Sequence, residues 1–164
     1  MKNAKYKTGF TVAELLIALA ISAMLLVAVA TAFNASATNY QENEAIFKTI
    51  NNARQALFRM TSQLRTASAV DSTAPSNECS FITAAGEDIT YQFRSTENKL
   101  YLITNSDAQE YVLCDNVTSM TFTKTSVIVD TVIIVKNVQI SMTVVSGNVQ
   151  KTISAAAAIR RNLN

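Results

Sequence analysis

Lys7-Thr8-Gly9-Phe10-Thr11-Val12-Ala13-Glu14-Leu15-Leu16 joins a short basic leader to a long apolar run. From Leu15 to Phe33 the chain uses only Leu, Ile, Ala, Val, Met and Phe, apart from Ser22 and Thr31. Counted from Phe10 to Phe33 the run is 24 residues, enough to cross a hydrocarbon layer of about 30 Å as a helix. One acid, Glu14, sits near its start. A carboxylate in such a helix is costly unless a cation partners it. The partner this sequence offers is a new α-amino group, released by a cut between Gly9 and Phe10.

Lys2, Lys5 and Lys7 precede the run and are expected to stay cytoplasmic by the positive-inside tendency. The C-terminal part then lies outside the cytoplasm. A cleaved secretory signal is the main rival, with A-x-A sequences at Ala28-Val29-Ala30 and Ala35-Ser36-Ala37. A signal h-region is shorter and carries no internal acid. An uncleaved anchor leaves both Glu14 and the Gly9-Phe10 junction without a purpose.

No Gly or Pro occurs from Phe10 to Ala74. Beyond Phe33 the apolar pattern narrows to a stripe. Ile46, Ile50, Ala53, Leu57, Met60, Leu64 and Ala67 recur at steps of four and three, one face of an amphipathic helix. Lys48, Arg54, Arg59 and Arg65 fall off that face. The spacing predicts one helix over residues 10–69, roughly 90 Å long at 1.5 Å per residue. Its first part is membrane-buried and its second packs on a domain.

Asp71-Ser72-Thr73-Ala74-Pro75-Ser76-Asn77 reads as a loop by its turn residues. After it the period becomes two. Ile89, Tyr91 and Phe93 alternate with polar residues, and Val138, Ile140, Met142 and Val144 do the same. Leu100–Ile103, the stretch around Met120 and Phe122, and β-branched Val127–Val135 supply further strands. Gly147-Asn148 marks a hairpin into Val149–Ile159, while Asn98, Ser106-Asp107 and Asn137 mark other turns. Ala155–Ala158 suits either a strand close to a helix or a helical turn. Arg160 and Arg161 are expected in solvent. The fold class is α+β: a long N-terminal helix packed on an antiparallel sheet of six or seven strands, some pairing in a second small sheet. The chain divides into a leader at 1–9, a transmembrane helix at 10–33, an amphipathic helix at 34–69 and a β domain at 70–164.

The formal net charge of the 164 residues is +2, and loss of Lys2, Lys5 and Lys7 takes it to −1. The leader therefore supplies the basic balance, and no nucleic-acid partner is expected. There is no His and no Trp. Without His the chain lacks the commonest general base near neutral pH and the commonest metal ligand. No nucleophile–base pair can be assembled, so no catalytic residue, cofactor or metal is expected. Glu87-Asp88 reads as a solvated turn, Asp107, Asp115 and Asn116 match no calcium loop, and the sequons at Asn34 and Asn116 read as chance. In an oxidising compartment Cys79 and Cys114 could form a disulfide, closing a loop of roughly 35 residues worth about 3–4 kcal/mol. The other reading is two buried free thiols.

The run from Gly9 to about Phe33 resembles the prepilin signature of type IV pilins and type II secretion pseudopilins. It has Gly before the junction, an aromatic after it, Thr next, Glu at the fifth place, then Leu-Leu-Ile-Ala-Leu-Ala-Ile. The resemblance implies a membrane prepilin peptidase that cuts between Gly9 and Phe10 and methylates the Phe10 amine. It implies an assembly role for Glu14, pairing with the amine of a neighbouring subunit or of its own chain. The implied partners are other pilin or pseudopilin subunits, the peptidase, the inner membrane and its assembly platform. The globular half, with Ile89-Thr90-Tyr91, Lys99-Leu100-Tyr101, Asp115-Asn116-Val117-Thr118-Ser119, Phe122 and Ala157-Ala158-Ile159-Arg160-Arg161-Asn162, resembles J-type minor pseudopilins and W-type minor pilins. That likeness implies a low-abundance subunit near a filament tip. Two departures bear on it. Major pilins carry Pro where this chain has Thr31, and one tip pseudopilin class lacks the acid that Glu14 provides. The competing readings are a membrane-tethered extracytoplasmic binding domain that never polymerises, and a soluble binding protein released by signal peptidase.

Overall fold

The computed structural model describes residues 9–160. The expectations for Lys2, Lys5, Lys7 and Arg161 lie outside that range. A single helix, α1, runs Val12–Thr66, followed by eight strands: β1 Ala69–Val70, β2 Glu78–Ile82, β3 Asp88–Arg94, β4 Lys99–Thr104, β5 Gln109–Cys114, β6 Val117–Val129, β7 Val132–Ser146 and β8 Val149–Ala158. This is the α+β arrangement that the periodicities predict: one long helix with antiparallel sheets against it. The helix is two residues shorter at its start and three at its end than the predicted span. Its last turn tightens, with Ala67 N bonding Leu64 O at 3.2 Å, and Ser68 N already donates to Ile82 O at 2.8 Å. Competition from the sheet ends the helix there.

Two compact units make up the described chain, one reaching Gln41 and one starting at Glu42. The second holds the rest of α1 and all the strands. Within it the predicted stripe is the floor of the core. Ala53, Leu57, Met60, Leu64 and Ala67 are buried, while Ile46 and Ile50 at the near end are half-buried. Lys48, Arg54, Arg59 and Arg65 are exposed, so the polar face is solvated as its spacing requires.

The strands form two sheets, β1-β2-β3-β4-β5 and β6-β7-β8, with every pairing antiparallel. Tyr91 stands opposite Cys79 on one side and Leu102 on the other, and Phe122 stands opposite Ile140. Ile89, Tyr91 and Phe93 are all buried, as are Val138, Ile140, Met142 and Val144. The Tyr91 hydroxyl reaches back to donate to Gln63 Oε1 on the helix. Burial pushes this phenol up to about 12. Ala155–Ala158 is strand, with Ala157 fully buried, which resolves the helical-turn alternative.

Three expectations need correction or completion. The β-branched run Val127–Val135 supplies strand on either side of a turn rather than throughout. Asp130 and Thr131 take φ of 48° and 73°, both left-handed, and make the two-residue turn between β6 and β7 that matches strand twist. No Gly or Asn announces it, and a β-branched residue is uncommon there. Asn137 is not a turn but lies inside β7 opposite Thr125, where the register shifts. The third concerns the cysteines. Cys79 lies on β2 and Cys114 on β5, both buried and free. Strands β3 and β4 lie between them, so the gap is on the order of three strand spacings, about 14 Å. A disulfide tolerates less than about 7 Å between Cα atoms, so the fold holds the cysteines apart.

Burial pushes the Cys79 thiol up to about 12 and Cys114 up to about 11. Thiolate is the nucleophile. Both cysteines are therefore expected to resist iodoacetamide at pH 8 in the native chain and to react fully in denaturant, as read by mass. Fast native labelling of Cys79 would contradict its burial. The linkage has a definite sign: a folded pKa above the unfolded one supplies stability below about pH 9, which is lost as pH rises through 11 to 12.

Candidate functional site at the start of the long helix

Gly9 and Phe10 are both exposed, Phe10 at 90%. A Cβ placed on Gly9 meets nothing within 4 Å among the described residues. Among the described residues, then, nothing crowds this position.

Thr11 and Glu14 form a reciprocal cap. Leu15 N donates to Thr11 O at 3.2 Å, which makes Thr11 the N-cap residue. Glu14 N donates to Thr11 Oγ1 at 3.2 Å. In return, Thr11 N and the Thr11 hydroxyl donate to Glu14 Oε2 at 2.9 and 3.0 Å. This is the Thr-x-x-Glu capping box. The expectation for Glu14 overlooked Thr11, although the four-residue spacing ahead of an apolar run was present to be read. The carboxylate has a local partner before any amine is released. Glu14 Oε1 makes no hydrogen bond among the described residues, so one oxygen stays open to a cation.

The helix beyond the cap is apolar all round. Every residue from Gly9 to Ala45 is exposed, including Leu15, Leu16, Ile17, Leu19, Leu25, Leu26 and Phe33. Its most apolar window has a mean hydropathy of 2.6 and none of it is buried within the chain. A helix with no polar face is covered by lipid or by other helices. The two hydroxyls inside it are satisfied locally, Ser22 Oγ donating to Ala18 O at 2.8 Å and Thr31 Oγ1 to Ala28 O at 2.9 Å. Such back-bonding allows hydroxyls in a medium without water. By length and composition this helix can cross a membrane.

Elsewhere the described residues hold no cluster of three His, Cys, Asp or Glu. Glu87 is exposed in the β2–β3 turn, where its N–H donates to Thr83 Oγ1 at 3.1 Å. Asp107 accepts from Gln109 N at 3.2 Å in the β4–β5 turn. The structure does not bring Asp107, Asp115 and Asn116 together with a further acid.

Residues 4–30 match the family described as the prokaryotic N-terminal methylation motif. No curated protein and no solved structure matches the chain. The matched stretch contains Gly9, Phe10, Thr11 and Glu14 and most of the apolar run. It supports a type IV pilin-like prepilin with a membrane-anchoring helix, a class of structural subunits rather than enzymes.

Proposed function

We propose that this chain is a minor pilin or pseudopilin subunit, stored in the bacterial inner membrane and assembled at or near the tip of a type IV pilus or type II secretion pseudopilus. A prepilin peptidase cuts between Gly9 and Phe10 and methylates the Phe10 amine. Residues 10–33 hold the subunit in the membrane as a single pass, and the β domain faces away from the cytoplasm. During assembly Glu14 meets the amine of a neighbouring subunit, each neutralising a charge that is penalised alone in an apolar medium. The observation that carries this reading is the junction itself. A glycine with no described residue, beyond its chain neighbours, within 4 Å of its missing side chain adjoins a capped helix start, whose carboxylate keeps one oxygen without a hydrogen bond among the described residues.

The tethered-domain alternative would need a recognisable binding site. One cleft, about 550 Å³, runs past Arg59, Gln63, Glu87, Leu102 and Tyr111. It opens widely to solvent, and no buried side-chain polar atom lacks a partner among the described residues. Nothing in it favours a ligand.

Intact mass of the protein purified from its native membrane tests the proposal. The expected chain lacks residues 1–9 and carries one added methyl group. An intact leader would support the tethered domain, and a chain beginning near Thr31 or Thr38 would support secretion; either would sink the proposal.

A further inference from the structure

The β6–β7 ribbon carries a second surface. β8 ends at Ala158, opposite Asn137. Beyond the register shift between Thr125 and Ser126, β6 and β7 continue to their turn as Ser126↔Val135, Val127↔Ile134, Ile128↔Ile133 and Val129↔Val132. Successive strand residues face opposite ways, so both faces of this ribbon are apolar. Ile128 is 75% exposed and Ile133 54%, and Val127, Val129 and Val132 are also exposed. Between Ser126 and Val135 the only charge is Asp130, at the turn. A strand pair that is apolar on both faces is one built to be covered on both.

The edge of β6 changes character along its length. Val117 N and Phe122 N donate to Asn98 O and Ser76 O, at 2.9 and 2.7 Å. The Lys124 ammonium donates to Ala74 O at 2.6 Å. The first sheet and its loops thus bond β6 as far as Lys124, and among the described residues no such bond reaches residues 125–129. The other sheet edges carry devices that discourage pairing. β1 is two residues long, β5 carries Glu110, and β8 carries Lys151. Thr125-Ser126-Val127-Ile128-Val129 has no charge and no Pro.

We propose that this ribbon is a self-association arm, through which two copies of the chain pair β6 to β6 along residues 125–129, with Val127, Ile128 and Val129 becoming cross-strand neighbours of the partner copy's side chains. A second copy fits for two reasons. Like strands related by a two-fold axis run antiparallel, the orientation every pair in this fold already uses. An uncharged edge also brings no like charges together when it meets itself. Pairing would set Val127, Ile128 and Val129 of the two copies side by side as cross-strand neighbours and add main-chain hydrogen bonds along an uncharged edge. The arm is independent of the leader and of Glu14, so its failure would leave the processing proposal untouched.

The test uses the full chain in native membranes with a photoreactive phenylalanine analogue at Val129. Illumination is expected to give one covalent product of twice the chain mass. Ile128→Glu and Ile128→Lys are each expected to reduce it at least tenfold; Ile128 is too exposed for either to unfold the domain, and an unchanged proteolysis pattern would confirm this. Co-expression of differently tagged Glu and Lys copies is expected to restore a mixed product, because the two opposite charges then lie diagonally across the paired strands, within reach of one another. A mixed product no stronger than either charge variant alone would overturn the proposal. So would crosslinks to another polypeptide or to lipid, a ladder beyond two copies, or no product.

Discussion

Gly9→Val is expected to leave the chain in the membrane with its leader intact, the processed fraction falling at least tenfold by intact mass. Beyond its chain neighbours, no described residue lies within 4 Å of where a side chain at this position would begin. The expected effect therefore falls on recognition by the proposed peptidase, which would have to fit the residue before the cut into its own site. Gly9→Ala, which adds only one methyl, should be processed far better than the valine chain. Complete processing of Gly9→Val would place the cut elsewhere and remove the role assigned to Phe10.

The second large effect belongs to Glu14, where two substitutions separate two jobs. Glu14→Ala removes both the reciprocal cap with Thr11 and the charge. Losing a cap costs on the order of 1 kcal/mol, little for a 55-residue helix. Glu14→Gln keeps the capping geometry, since glutamine serves at this place, but has no charge to offer an amine. Both variants should be cut and inserted normally. Both should enter filaments or tip complexes at least tenfold less than wild type, because a neighbouring amine is left unpaired in an apolar medium. Glutamine assembling like wild type, with alanine failing, would make Glu14 a capping residue only.

The helix and the core were the legible parts of the sequence. Seven apolar positions from Ile46 to Ala67 at helical spacing, with no Gly or Pro among them, left little room for another structure, and five of the seven are buried. Strands with strict alternation, such as Ile89-Tyr91-Phe93, were equally plain. What could not be read depended on contacts distant in sequence or on turns without the usual residues. The Asp130-Thr131 turn hides in a β-branched run, because its left-handed backbone is imposed by the strands on either side. Asn137 suggested a turn from its residue type, yet the neighbouring strand holds it extended. The two cysteines suited a disulfide by number, and only the strand order separates them. At the candidate site the acid stood out against its apolar surroundings, whereas Thr11 was read only as part of the signature and not as the cap that bonds Glu14.

The strand order also bears on how the domain comes to exist. In both sheets each strand pairs with its sequence neighbour, so no strand waits for a distant partner. Loops close over short stretches, which keeps their entropy cost low and the contact order modest. The helix that floors the core precedes every strand in the chain. A polypeptide emerging from its N-terminus therefore brings out that surface first and then, hairpin by hairpin, the pieces that cover it. Each addition has its template already in place, and the apolar stripe of α1 is exposed only for the interval before both sheets have closed over it, its end at Ile46 and Ile50 waiting for the last hairpin.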